Sequence, residues 1–427
     1  MLTAFYERVT IIDRDVPEPG KNRRGAPQGR HAHNLLPAGA KLMDQIFPGI
    51  VTEMGADGAV VADMLVGYRF YLGGKQLPQV PVGAKSVHAT LPFYEDHLRR
   101  RLRERGGVRF MPGTDVMGIT ADDAGAKVTG VLVSGKEPGG GQGVMAAELV
   151  VDAMGRSRRT PAWLKELGYE RPPEEQVAVD IAYVSRLLRL SPTAADRVGL
   201  LVGGDINGTP RGILLLAVEG NRYLLTATGA GPEHRPPTDE AGYAEFLTTA
   251  APPDVLEAIR DAEPLGEIAA HRFPAAVWRR YDRLDRFPAG LLVIGEALCS
   301  LSPLNAQGLT AAAMEAVELQ RCLAAGREDL SMRFFRAAAR KLAPAWEMTV
   351  NVAAPDTPSS TVARLRGRFM DRVVSAATRD NTVAAQFARV FALLDPPTAL
   401  LRPRVLWRVA VSGMTRDRET RRTVAER

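Results

Sequence analysis

Short apolar runs alternate along the chain with amphipathic stretches, a pattern that predicts strands and helices in turn, with no internal repeat. The first run, residues 8–13, is rich in β-branched side chains and ends in an acid. It then passes into a Pro/Gly/Arg-rich loop at 17–27, so it reads as a buried strand. Over residues 28–46, Leu35, Leu36, Ala40 and Met43 form an apolar stripe at helical spacing, and 95–105 reads as a second, strongly charged helix. Residues 128–133, the glycine turn Gly139-Gly140-Gly141 and residues 148–152 predict a hairpin followed by a buried strand, which again ends in an acid. Alternating apolar positions over 177–190, 212–218 and 222–228 predict an antiparallel sheet with one face covered. Residues 291–295 form another buried strand, leading through a Pro/Asn/Gly loop into a helix over about 308–325. Beyond Ser331 the pattern is helical, divided by a Pro/Asp/Ser segment at 354–360, and the Arg-rich last residues are expected to fray.

Composition narrows what this pattern means. At 427 residues, 45% hydrophobic and 24% charged, the chain is long enough for a sizeable core and coupled domains. The net charge of +6 comes from arginines such as Arg99, Arg100, Arg101, Arg103 and Arg105, set among acids in helical stretches. With no aromatic residues interleaved among them, this is a solvated face rather than a nucleic-acid site. Cys299 and Cys322 are the only cysteines, both in apolar surroundings and without metal spacing. Together with the lack of a secretory leader, they place the protein in a reducing cytoplasm. No apolar run approaches the roughly 20 residues of a membrane span. His31 and His33 flank Ala32, but a metal needs further ligands and no cluster supplies them, so no metal is expected. The four tryptophans read as core or pocket-wall residues.

Three strand ends carry candidate chemistry. Asp13, at the tip of its strand, is placed as the acid that takes adenosine ribose hydroxyls in a dinucleotide fold. Asp152 and Gly155 lie in Asp152-Ala153-Met154-Gly155-Arg156, which lets backbone and carboxylate approach a cofactor, or simply forms a turn. Gly295-Glu296 precedes a loop from Ser302 to Thr310, where small residues and a helix N-terminus aim N–H groups at one spot. Such a spot suits a pyrophosphate or an anionic flavin ring. No GxSxG elbow, cysteine pair or ligand cluster occurs, and no side chain is assigned as catalytic.

The order of these motifs resembles the group A, para-hydroxybenzoate-hydroxylase-like FAD-dependent monooxygenases, especially the actinobacterial branch acting on polyketide-type substrates. The likeness rests on Val9 to Asp15, Pro27 to His33, Val150 to Arg156 with Pro161 to Leu164, and Gly295 to Thr310. It implies an α/β fold: a GR2-type Rossmann-like FAD-binding layer in two parts (1–170 and 286–330), an antiparallel β substrate domain (171–285) and a helical C-terminal region (331–427). It also implies that Asp13 meets the adenosine ribose, with Arg14 and Arg30 among the cofactor-binding residues. Asp152, Gly155 and Arg156 would line the pyrophosphate and nicotinamide-facing groove, and Gly295-Glu296 would meet the ribityl chain and pyrophosphate. Pro303, Ala306, Gln307, Gly308 and Leu309 would run beside the isoalloxazine. The implied reaction uses NADPH or NADH as reductant and hydroxylates or epoxidises a large hydrophobic small molecule.

Three departures accompany the likeness. The family's opening strand and GxGxxG turn, which would precede Val9, are missing, so the FAD layer is expected to be incomplete at its N-terminus, either from a start set too far downstream or from decay of the site. Thr90-Leu91 stands where the family carries an arginine, and Glu296 replaces the usual aspartate. Weakened or lost FAD binding is the expectation, and it opens an alternative: a redox-neutral cyclase on the flavoprotein scaffold, with FAD structural or absent.

Overall fold

The structure, a computed structural model, describes residues 1–72, 74–135, 142–198, 201–203, 209–353 and 361–412. The run at 8–13 forms the strand Val9–Asp13, which pairs in parallel with Val108–Pro112. Val150–Asp152 pairs in parallel with Leu291–Val293, whose three residues are fully buried, as a run apolar on both faces requires. Among the described residues these two parallel pairs are separate sheets. An antiparallel sheet of Thr114–Ala121, Val128–Gly135 and Gln142–Ala146 lies beside them, while the glycine turn at 139–141 falls outside the described residues.

A nine-stranded sheet forms the second layer. At its centre Glu174–Arg189 lies between Ala269–Arg279 and Arg222–Ala230, and Arg222–Ala230 pairs onward with Arg211–Val218, all antiparallel as the alternating pattern predicts. Its far edge is non-local: Leu201–Gly203 pairs in parallel with Tyr68–Leu72. A small sheet of Asn34–Leu35, Lys85–His88 and Val60–Asp63 completes the strands discussed below.

The stretch 28–46 is not one helix. A short 3-10 turn, Pro27–Arg30, is followed by the strand Asn34–Leu35, and the helix runs only over Pro37–Ile46. Leu36 precedes a proline and is extended, with ψ 158°, as clash with the ring demands. The helix expected at 95–105 begins earlier, as Leu91–Glu104, with Pro92 in its first turn. Gly308–Ala324 forms as expected and packs against Pro37–Ile46 and Leu330–Ala353. Thr361–Ala377 and Asn381–Phe391 then cover the Tyr68–Leu72 edge, sharing a core with Leu65, Tyr68 and Leu216. The dividing segment at 354–360 and the last residues lie outside the described ones. Among the described residues no helix is long and apolar enough to cross a membrane.

Candidate cofactor and substrate site

A cavity of about 3660 Å³ opens between the two layers. That is several times the roughly 300–1,000 Å³ of an ordinary ligand pocket, so it has room for a cofactor and a large substrate together. The loop Pro303–Ala306 with Gly308 and Leu309 forms one wall, and Val179, Ile181, Tyr183, Thr226 and Thr228 of the large sheet stand among its other lining residues.

Most of the residues singled out in the sequence meet there. Asp13, Arg14, Asp152, Gly155, Arg156, Gly295, Glu296, Pro303, Ala306, Gly308 and Leu309 all line this cavity. Two do not. Arg30 is exposed and outside the lining. Gln307 is fully buried with its amide turned away, donating to the Phe391 carbonyl at 3.2 Å and thereby tying the loop to a C-terminal helix.

Asp13, expected to take the adenosine ribose, is already engaged. Its carboxylate accepts from Arg23 at 2.9 Å and from the Asp15 N–H at 3.0 Å, and Arg23 reaches on to Glu95 at 2.5 Å. Sequence reading passed over Arg23 as a loop cation. Thr90, just before Leu91 where an arginine was looked for, gives its N–H and hydroxyl to Glu219 at 3.0 and 2.7 Å, and Arg222 pairs with the same carboxylate.

Asp152 is buried and looks inward. Thr160 donates to one of its oxygens at 2.5 Å and the Met154 N–H to the other at 2.8 Å. Burial raises its pKa against these two donors. It therefore builds the strand-to-helix turn, and Gly155, at φ +64°, carries the backbone around it. A Cβ on Gly155 would lie 3.9 Å from a Glu296 oxygen, so the two strand ends face one another. Glu296 is open to the cavity, yet enclosure in that recess raises its pKa, with Arg156 opposing. Arg156 itself stacks 4.5 Å from the Phe273 ring centre. The Gly295 N–H donates at 2.5 Å to Glu315, a fully buried carboxyl whose pKa burial pushes up to about 8.

The loop itself has room and unmet polarity. A Cβ on Gly295 or Gly308 would meet nothing within 4 Å, and Ser302 Oγ, Asn305 Nδ2 and Thr310 Oγ1 are buried without partners among the described residues. The first N–H groups of Gly308–Ala324 have no intrahelical acceptor. Open backbone, orphaned donors and a positive helix end together fit an anionic ring system such as flavin.

One side chain missed as chemistry in the sequence is His31. It lines the cavity wall, its Nδ1 sits 2.7 Å from Ser185 Oγ, and Ser185 is 2.7 Å from Thr226 Oγ1. Burial, then the neighbouring His271, lowers its pKa to about 4, so it is uncharged at neutral pH. The histidine pair was visible, but a partner 154 residues away was not. Glu53, Asp57 and His97 are grouped closely enough for a metal, but lie away from the cavity with Arg100 bridging the two carboxylates.

No family model matches the chain. Over 415 residues it is 34% identical to protein Rv3254 of Mycobacterium tuberculosis, spanning 92% of this chain and 86% of that protein. Among solved structures it resembles p-nitrophenol 4-monooxygenase from Pseudomonas putida, with TM-score 0.64 at 13% identity over 91% of this chain and 92% of that one. It also resembles the flavin-dependent brominase Bmp2, with TM-score 0.67 at 13% identity over 96% and 93%. A third likeness is to the Diels-Alderase of pyrroindomycin biosynthesis, with TM-score 0.59 at 18% identity over 91% and 76%. At these identities the structural likenesses establish the fold, that of FAD-dependent monooxygenases.

Proposed function

Because the chain belongs to the family of Mycobacterium tuberculosis protein Rv3254 and has the FAD-dependent monooxygenase fold, we propose that it is an FAD-dependent oxygenase of a large hydrophobic, polyketide-type molecule. The observation that carries this reading is the convergence of the Ser302–Leu309 loop, the Gly308 helix end and the strand ends at Gly155 and Glu296 on one cavity opposite the large sheet. Residues 1–170 and 286–330 supply the cofactor layer, 171–285 the substrate sheet, and 331–427 the closing helices. Reduced by NADPH or NADH, bound FAD supplies the oxygen-transfer chemistry.

The chain's own part is to bind, orient and exclude water. Asp13 and Arg14 serve the adenosine end, Gly155, Arg156 and Glu296 the middle, and the backbone from Ala306 to Leu309 the flavin. His31, uncharged and backed by Ser185 and Thr226, is placed to exchange a proton with a substrate hydroxyl in the sheet-side wall. Purified protein mixed with FAD should show protein-bound flavin in its visible spectrum. Added NADPH or NADH should bleach it, and an aromatic or alkene product should carry one oxygen from O₂. Absence of any flavin binding sinks the reading.

A second reading has its own observation. Arg23 holds Asp13, so the carboxylate expected to take the adenosine ribose is engaged within the protein itself. That favours a redox-neutral cyclase using the cavity to fold a polyene. Conversion of a polyene without reductant or flavin separates it from the first reading.

A further inference from the structure

Beneath the C-terminal helices two cavity-lining residues, Asn34 and Tyr68, adjoin a group of buried polar side chains that the proposed chemistry does not use. Asn34 lies directly opposite His88 where Asn34–Leu35 pairs with Lys85–His88, so their side chains share a face. Ser86, two residues along the same strand, shares it too. Tyr68 packs edge-on against His88, with ring centres 5.0 Å apart. Tyr68, Ser86 and His88 are each no more than 1% exposed, while Asn34 and Tyr68 line the cavity.

Five polar atoms of this group have no hydrogen-bond partner among the described residues: Asn34 Oδ1, Tyr68 Oη, Ser86 Oγ and both ring nitrogens of His88. Native interiors leave few such atoms, because a buried polar group that loses water must be compensated. Two of the five, Asn34 Oδ1 and Tyr68 Oη, belong to residues that line the cavity, which points to a partner supplied by a ligand there.

The chemistry of that partner follows from the set. It comprises an amide, a phenol, an alcohol and an imidazole, and burial holds the imidazole uncharged by lowering its pKa to about 3. No charged side chain belongs to the group, so an anion would be buried there without a counter-charge. A neutral hydroxyl can donate to Asn34 Oδ1 while accepting from Tyr68 Oη.

We propose that Asn34 and Tyr68, with Ser86 and His88 buried behind them, form a substrate subsite that receives an uncharged hydroxyl group. This rests on the reading of the cavity as a substrate site, and it narrows the substrate to one with a neutral hydroxyl at the end lodged under the C-terminal helices.

Three matched probes test it: 2-naphthol, naphthalene and 2-naphthoate, titrated into the full chain. 2-Naphthol should bind about tenfold more tightly than naphthalene, the worth of one good hydrogen bond, with 2-naphthoate weakest. Tyr68→Phe and Asn34→Ala should erase the naphthol preference and at the same time raise the thermal midpoint, because each removes a buried polar atom that is unpartnered without ligand. A naphthol preference that is missing, or that survives both substitutions, overturns the proposal. So does a lowered midpoint in both variants, the signature of a structural hydrogen-bond network. The probes need no flavin, so a protein that binds and reduces FAD but ignores the naphthol hydroxyl overturns the subsite alone. A protein that prefers naphthol but binds no flavin overturns only the oxygenase.

Discussion

Ala306 and Gly308, two positions apart, limit the same loop in different ways. Ala306 takes a left-handed conformation, φ 51° and ψ 28°, whereas Gly308 has no positive φ and open space where a side chain would go. The glycine is therefore not there to relieve strain, as its place at a loop-to-helix junction suggested; it keeps the backbone approachable. Gly308→Val should leave stability within about 0.5 kcal/mol yet weaken FAD binding by tenfold or more, since the valine projects into open cavity space. Ala306→Val should do the reverse first, costing about 1–3 kcal/mol because a β-branched residue resists φ near 50°. Thermal midpoints and FAD titrations of both variants decide it, and a Gly308→Val protein with normal affinity removes the loop from the cofactor site. Glu315 adds a pH signature. Its carboxyl is raised from 4.5 to about 8, so between those values the unfolded chain ionises while the folded one keeps its proton. Fewer protons are bound in the unfolded state, and stability falls as pH rises, by at most about 1.4 kcal/mol per unit. Glu315→Gln removes that slope. Urea unfolding at pH 5.5 and 7.5 should show the variant gaining on the wild type by about 2 kcal/mol at the higher pH; an unchanged difference would mean that Glu315 ionises normally.

At the scale of elements, Pro37–Ile46 packs closely against Gly308–Ala324. A Cβ on Gly39 would meet Thr310 Oγ1 at 2.5 Å, Leu35 Cδ1 at 2.7 Å and the Thr310 Cα at 3.1 Å. Alanine normally improves a helix interior by about 1 kcal/mol over glycine. Here Gly39→Ala should cost about 1–3 kcal/mol by overpacking, and Thr310→Ala should recover part of it, measured as urea midpoints; a stabilised single variant would refute the close packing. The same two helices show what was legible in the sequence. Gly308–Ala324, Val9–Asp13 and Leu291–Val293 were readable because local period, a terminal acid or a bounding glycine marks each one. Pro37–Ile46 was read as part of a longer helix because Leu35 and Leu36 fall on its apolar stripe, although both are buried for other reasons, Leu35 in a strand and Leu36 extended before proline. The pairing of Tyr68–Leu72 with Leu201–Gly203, and the C-terminal helices laid over that edge, had no local signal, since their partners lie far away in sequence. The loop from Ser302 to Leu309 was legible as small residues before a helix. The polar pairs around it, Asp13 with Arg23 and His31 with Ser185, depend on tertiary approach that no spacing encodes.

Across the whole molecule, the cavity is bounded by two parallel pairs that share no backbone pairing among the described residues: Val9–Asp13 with Val108–Pro112, and Val150–Asp152 with Leu291–Val293. A two-stranded unit has little stability of its own, so each pair depends on what packs against it. The facing strands are unevenly covered: Ile11, Ile12, Val150 and Val151 are only partly buried and all line the cavity, whereas Leu291, Leu292 and Val293 are fully buried. A cofactor reaching from Asp13 to Glu296 would touch both pairs at once, and its binding energy would then stabilise them jointly. FAD should therefore raise the thermal midpoint, with about 2.7 kcal/mol of added stability at a concentration 100 times its Kd. The expected affinity is weak, because Asp13 must first share or release Arg23. Hydrogen exchange with and without FAD reads the coupling directly. Amides of Val9–Asp13 and of Val150–Asp152 should gain protection together, while those at the core of the large sheet, in Arg211–Val218 and Arg222–Ala230, change little. Protection confined to one pair would mean that FAD, if bound, does not span the cavity as proposed, and equal protection everywhere would mean global stabilisation without a cofactor that joins these two halves.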